Sequence, residues 1–151
     1  MSKIIPVFLL LSFLFLESSI AQTKKNVWST LAMMKYERQY AQSDGIGAQA
    51  GKGRFLPLIE ALVGEEIEVK GYIIPLTGQK AQNHFMFSAY PFASCFFCGK
   101  AGPESVIEVF MKDNKKVEYS EKSITIKGKF KFLPNKLDDI MYQLEFGELV
   151  E

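Results

Sequence analysis

Two stretches of the chain carry the same unusual pattern: Ile67-Glu68-Val69-Lys70-Gly71-Tyr72-Ile73 and Ile124-Thr125-Ile126-Lys127-Gly128-Lys129-Phe130. Each alternates apolar and polar side chains with the period of two that marks a strand buried on one face. Each also places a glycine in mid-run, on the apolar side. Glycine weakens a strand, so it persists there where the ribbon bends sharply or another backbone comes close. Two such bends among short strands point to a sheet that coils on itself rather than lying flat. The pattern occurs only twice, which excludes a solenoid repeat.

Further strands are expected over 85–90 and 106–111, and Asp113-Asn114 marks a turn. A fifth strand would come from 34–40 or from 146–150. The segment 27–40 suits a helical face through Trp28, Leu31 and Met34, yet Met34-Lys35-Tyr36-Glu37 alternates like a strand, and period alone does not decide. Pro57 opens a short helix, with Leu58, Ile59, Leu62 and Val63 on its apolar side and Gly64 as its left-handed stop. Asn135 caps a final helix, with Leu137, Ile140, Met141 and Leu144 as its buried stripe. The expected fold is mainly β with short flanking helices: a five-stranded, partly open barrel of the oligonucleotide/oligosaccharide-binding (OB) type. A small β-roll or sandwich is the runner-up.

The beginning of the chain bears on compartment. Lys3 precedes an uncharged apolar run, Ile4 to Leu16, of 13 residues, and Ser19 and Ala21 supply the small residues of a cleavage site before Gln22. A bilayer span needs about 17–25 residues, so the run reads as a signal peptide over 1–21 rather than an anchor. The mature chain, 22–151, is then one exported domain, periplasmic or secreted, with no later stretch of spanning length.

Charge and motifs exclude several classes of function. The net charge is +1, so the 13 phenylalanines have no basic groove beside them to make a base-stacking platform, and nucleic acid is not an expected partner. The glycine-rich segment 42–53 contains Gly51-Lys52 but fails as a phosphate loop. The earlier glycine is replaced by Ile46, and Gly53 stands where Ser or Thr is needed. Ser94 has no histidine to activate it and no nucleophile elbow around it. Glu65, Glu66 and Glu104 show no spacing that sets them apart as a glycosidase pair. The sequence points to a non-enzymatic protein.

The only cysteines are Cys95 and Cys98, in Cys95-Phe96-Phe97-Cys98. Four readings stand. A disulfide suits an oxidising compartment, but it closes a tiny loop and contributes little entropy. A metal site would use the paired thiolates for a soft ion such as Cu(I), or as half of a tetrahedral zinc site, with Glu104 as the nearest further ligand. His84, the sole histidine, lies across the 85–90 strand, roughly 20 Å away at about 3.3 Å per residue, and reads as a solvated turn residue. Glu65 and Glu66 would approach the cysteine end if the hairpin is antiparallel. Thiol–disulfide exchange wants the first cysteine at a helix N-terminus, which Gly99-Lys100-Ala101-Gly102-Pro103 opposes. The fourth reading is reduced packing beside Phe92, Phe96 and Phe97. Those rings either fold over the open end of the barrel or form an exposed patch that docks a protein partner, and the two readings predict opposite burial for Phe96 and Phe97.

Val27-Trp28-Ser29-Thr30-Leu31, Lys70-Gly71-Tyr72-Ile73-Ile74-Pro75-Leu76 and Cys95-Phe96-Phe97-Cys98-Gly99 with Ala101-Gly102-Pro103-Glu104 together resemble a family of uncharacterised exported bacterial proteins. More distantly, they look like a domain-of-unknown-function family in which a Gly-Tyr-x-x-Pro-Leu strand precedes a proline-rich cysteine loop. The resemblance implies export and a barrel-like fold, and no established activity. The second cysteine, and Pro103 as the loop's lone proline after the cysteines, depart from the distant pattern.

Overall fold

A computed structural model describes residues 26–35, 56–134 and 139–150. The expected signal peptide, the glycine-rich segment 42–53 and the opening of the expected final helix lie outside those residues. Two short helices, α1 (Val27–Leu31) and α2 (Leu56–Glu60), precede seven strands: β1 (Glu66–Ile74), β2 (Ala81–Gln82), β3 (His84–Ser88), β4 (Val106–Met111), β5 (Val117–Glu118), β6 (Ile124–Phe132) and β7 (Tyr142–Val150). Five of them close into a barrel in the order β1-β3-β4-β7-β6, while β2 and β5 form a separate two-stranded ribbon.

Every pairing in the barrel is antiparallel except β4 with β7, which run parallel. Among the barrel strands the first thus pairs with the second and fourth, and the third lies beside the fifth, as in an OB barrel. The expected partly open barrel is here fully closed, because the parallel β4–β7 ladder completes the ring.

Both mid-strand glycines sit where the barrel turns. Residues Glu66 to Gly71 pair with β6, and from Tyr72 onward β1 pairs with β3 instead. Gly71 is the point of exchange, and a Cβ there would lie 2.5 Å from the Ser88 carbonyl oxygen. Gly128 faces the bulge in β7, where the register slips between Lys127 and Lys129. Its missing Cβ would stand 2.8 Å from the Glu145 carbonyl oxygen. Close backbone approach, not turn flexibility, is what glycine supplies at both positions.

The inward faces of β1 and β6 carry Ile67, Val69 and Ile73 and then Ile126 and Phe130. Phe85, Phe87, Ile107, Val109, Tyr142 and Leu144 complete the core from the other strands. Each large side chain taken fully out of water contributes about 1.5–3 kcal/mol before conformational entropy is subtracted. Helix α1 packs against this core. The Asn26 side chain caps it by accepting from the Trp28 amide at 3.2 Å, and Leu31 and Met34 are buried. Trp28 Nε1 donates to the Lys70 carbonyl at 2.7 Å, and the Tyr142 hydroxyl donates to the Leu31 carbonyl at 3.0 Å. These long-range bonds favour the helical reading of the ambiguous segment from its start, while 36–40 lies outside the described residues. In α2 only Ile59 is fully buried, and Leu58 and Val63 are exposed. Gly64 follows with φ of 84°, the expected left-handed stop.

The expected final helix is corrected. Leu144 belongs to β7, and Met141 and Ile140 lead into that strand. Tyr142 and Leu144 point inward between Gln143 and Glu145, a period of two that the spacing of Leu137, Ile140, Met141 and Leu144 also permits as a helix. The ladder to β4, distant in sequence, decides between them. β7 thereby supplies the fifth barrel strand.

A second, smaller cluster lies on the outer side of the wall. Ile74, Met86, Val106 and Ile140 surround Cys95, and Phe96 packs against them.

Candidate functional site

The segment joining β3 to β4, residues 89–105, is closed at its base by the Ala89 amide donating to the Ser105 carbonyl at 3.0 Å. Between these ends the chain makes three 3-10 turns, Phe92–Ser94, Phe96–Cys98 and Pro103–Ser105. The first two are contiguous through Cys95. Gly99, at φ of 70°, ends the second by donating to the Phe96 carbonyl at 2.8 Å. The turn therefore stops at Cys98 instead of continuing as an α-helix, and neither thiol lies at the N-terminus of one. The helix-dipole activation that thiol–disulfide exchange uses is missing, as Gly99 to Pro103 led us to expect.

Both cysteines are free, Cys95 buried and Cys98 exposed. Cys98 Sγ lies 3.0 Å from the Phe92 carbonyl oxygen, to which it donates. The two thiols also interact directly. Partial desolvation, the Cys95 thiol beside it and its hydrogen bond with that thiol all push the Cys98 pKa up, in that order, with Lys100 pulling the other way. The shift favours the protonated form of the Cys98 thiol.

The rings around the thiols divide. Phe96 is half-buried against the outer cluster, while Phe97, edge-on to it at a centroid distance of 5.3 Å, is 48% exposed. Phe92 and Tyr90 are exposed as well. The loop thus does not fold over an open barrel end. Cys95 and Phe96 fasten it to the outside of the wall, and the remaining aromatics face solvent. Of the Phe96–Phe97 pair, then, Phe96 is partly buried and Phe97 exposed.

Glu104 is buried in the third turn, and its carboxylate lies over Gly102, where any side chain would collide with it. It lines a cavity of about 620 Å³ with Trp28, Lys35, Tyr90 and Lys100, a lining in which neither cysteine takes part. Among the described residues no group of three or more His, Cys, Asp or Glu side chains is placed to hold a metal ion. The thiols are brought together, then, without Glu104 as a third ligand. Nor do Glu65 and Glu66 approach them. The β1–β3 hairpin is antiparallel, but β1 is long, and Glu66 pairs opposite Lys129 of β6 rather than near Ser88.

His84 is a strand residue, not a solvated turn residue. Its ring stacks on Phe110 at 4.3 Å, and its Nε2 lies 2.8 Å from Glu108 Oε1. Gln143 Nε2 donates to Glu108 Oε2 at 2.7 Å, which ties β3, β4 and β7 together across the outer wall. Next to this row Phe146, at the β7 bulge, has φ of 55° and is 61% exposed. Sequence reasoning missed the row because its members come from three strands whose adjacency only the barrel creates. The outward positions of Glu108 and Phe110 in β4 were the available signal.

No protein-family model matches the chain, and no curated protein matches it. A crystal structure of a DUF3299 family protein from Pseudomonas aeruginosa PAO1 is similar over 62% of this chain and 66% of that one, with 18% identity and a TM-score of 0.45. The chain thus spans slightly under two thirds of that protein, itself a member of a domain-of-unknown-function family. Such a likeness is distant, and it assigns no residue of the cysteine loop a role.

Proposed function

We propose that this chain is an exported, non-enzymatic binding module whose working part is the Cys95–Cys98 turn, and that the paired thiols take a soft metal ion of the zinc or copper class. The observation that carries the reading is the asymmetry of the pair. One sulfur is sunk in an apolar wall and fixed by its neighbours, while the other stands at the surface in contact with it. A purely structural role would need neither an exposed sulfur nor the exposed Phe92 and Phe97 of the same loop. Phe92, Phe97 and Tyr90, all exposed in this one loop, would serve docking of the protein that delivers or receives the ion.

Mass spectrometry of the purified mature protein under native conditions, with and without chelator, tests the reading. Zinc or copper retained by the native protein and lost from Cys95→Ser is the expected result. The contact between the thiols favours one rival, a redox pair cycling between dithiol and disulfide. It would show as a protein two mass units lighter, metal-free, and reducible near glutathione potentials. A bridge that resists mild reductant would instead make the pair structural.

A further inference from the structure

Resting on that reading, we infer that the ion is monovalent copper, held two-coordinate between Cys95 Sγ and Cys98 Sγ, with Lys100 as the neighbouring counter-charge. The ligand count leads to it. The described residues bring two sulfurs together and no third His, Cys, Asp or Glu. Zinc wants four ligands in a tetrahedron, and with two it would be left to water or a partner chain. Soft thiolates select Cu(I), and a closed-shell monovalent ion is satisfied by two of them in a line.

The surroundings suit that ion. Cys95 is 0% exposed, inside a cluster of Ile74, Met86, Val106 and Ile140. This apolar side keeps water and oxidants from half of the site. Cys98 is the movable half: it is exposed and held by its bond to the Phe92 carbonyl and its contact with the Cys95 thiol. Opening the thiol–thiol contact to admit an ion costs those two interactions at most and leaves the buried anchor in place.

The reaction balances without electron transfer. Two thiols and one Cu(I) give a bis-thiolate complex of net charge −1 and two released protons, and copper stays monovalent throughout. Lys100, two residues beyond Cys98 in the chain, opposes that negative charge.

The experiment is an anaerobic titration of the reduced mature protein with Cu(I), using bathocuproine disulfonate as competitor, with Ag(I) and Zn(II) in parallel arms. The expected result is one Cu(I) or Ag(I) per chain, two protons released, and two sulfur ligands by X-ray absorption. Zn(II) should bind at least 100-fold more weakly. Cys98→Ala should cost Cu(I) affinity 100-fold or more with the fold intact, since its side chain is exposed. Lys100→Glu should weaken it about tenfold. Tight Zn(II) with four ligands, three-coordinate copper, or copper shared between two chains would overturn this inference and leave the soft-metal reading standing. No ion bound in any arm would overturn both.

Discussion

Within the barrel, Phe85, Phe87 and Phe130 are withdrawn from solvent completely, whereas in the loop between β3 and β4 Phe92 and Phe97 stay about half exposed. The same side chain is used in opposite ways within one small domain. In the first region Phe85 and Phe87 meet edge-on, Phe130 packs beside Tyr142, and their burial drives folding. In the second, Cys95 and Phe96 attach the cysteine turns to the wall, while Phe92 and Phe97 are displayed. Stability therefore accounts for the barrel and leaves the displayed half of the loop to be explained by what it meets.

The contrast can be broken most directly at its two extremes. Phe130→Ala should destabilise the protein by about 3–5 kcal/mol in urea or thermal unfolding, through lost burial and the cavity left behind. Phe97→Ser should stay within about 0.5 kcal/mol of the native value, as an exposed site does. Comparable losses from both substitutions would show that the loop is part of the folding core.

A second comparison concerns close approach. Gly71→Ala should cost about 1–3 kcal/mol, since the added methyl meets the Ser88 carbonyl and the Phe87 ring. Gly78 has nothing within 4 Å of the same position, so Gly78→Ala in the same assay should be neutral. The two sulfurs come next. Cys95→Ser puts a hydroxyl into the outer apolar cluster and should cost about 1–3 kcal/mol, and Cys98→Ser less than about 0.5 kcal/mol. Equal effects would mean that the loop is not pinned through one cysteine.

The last pair of tests is small. Phe146 occupies the left-handed region, where asparagine is at less cost, so Phe146→Asn should stabilise the fold by about 0.5–1 kcal/mol. Glu148 bonds to Lys112 at 2.6 Å and pairs with Lys127 at 3.3 Å on the barrel surface. Hydrogen bonds from Lys112 and Lys127 hold the Glu148 carboxyl below its ordinary range, and Glu148 holds the Lys112 ammonium above its own. The carboxylate's share of stability is present above its unfolded pKa and is lost as pH falls through the depressed value. The ammonium's share is present below its unfolded pKa and is lost as pH rises through the raised one. Glu148→Gln should flatten both flanks of the urea-midpoint profile against pH, and 1 M salt should mask most of the difference.

What could be read from the sequence was whatever is written within one strand. The alternation and mid-run glycines of β1 and β6 announced a rolled sheet, and β4 was found from 106 to 111 as expected. Pairings between strands far apart in the chain were not visible. For that reason the start of β7 passed for the end of a helix, although 146–150 was one of the two places expected for the fifth strand, and the His84–Glu108–Gln143 row was not foreseen. At the site, the two cysteines were evident from their isolation. Their unequal exposure was not, because it depends on Met86, Val106 and Ile140 converging from different elements on the outer wall. Glu104 looked close in sequence, but its own turn directs it to a separate cavity.

Closure of the ring by the parallel β4–β7 ladder has one further consequence. Each of the five barrel strands has a neighbour on both sides, so the barrel has no terminal strand to offer another chain. Among the described residues, a partner's strand could extend only the separate two-stranded β2–β5 ribbon and not the barrel. Recognition by the barrel passes through side chains on its outer surface, and its closure withholds a common template for fibrous self-assembly.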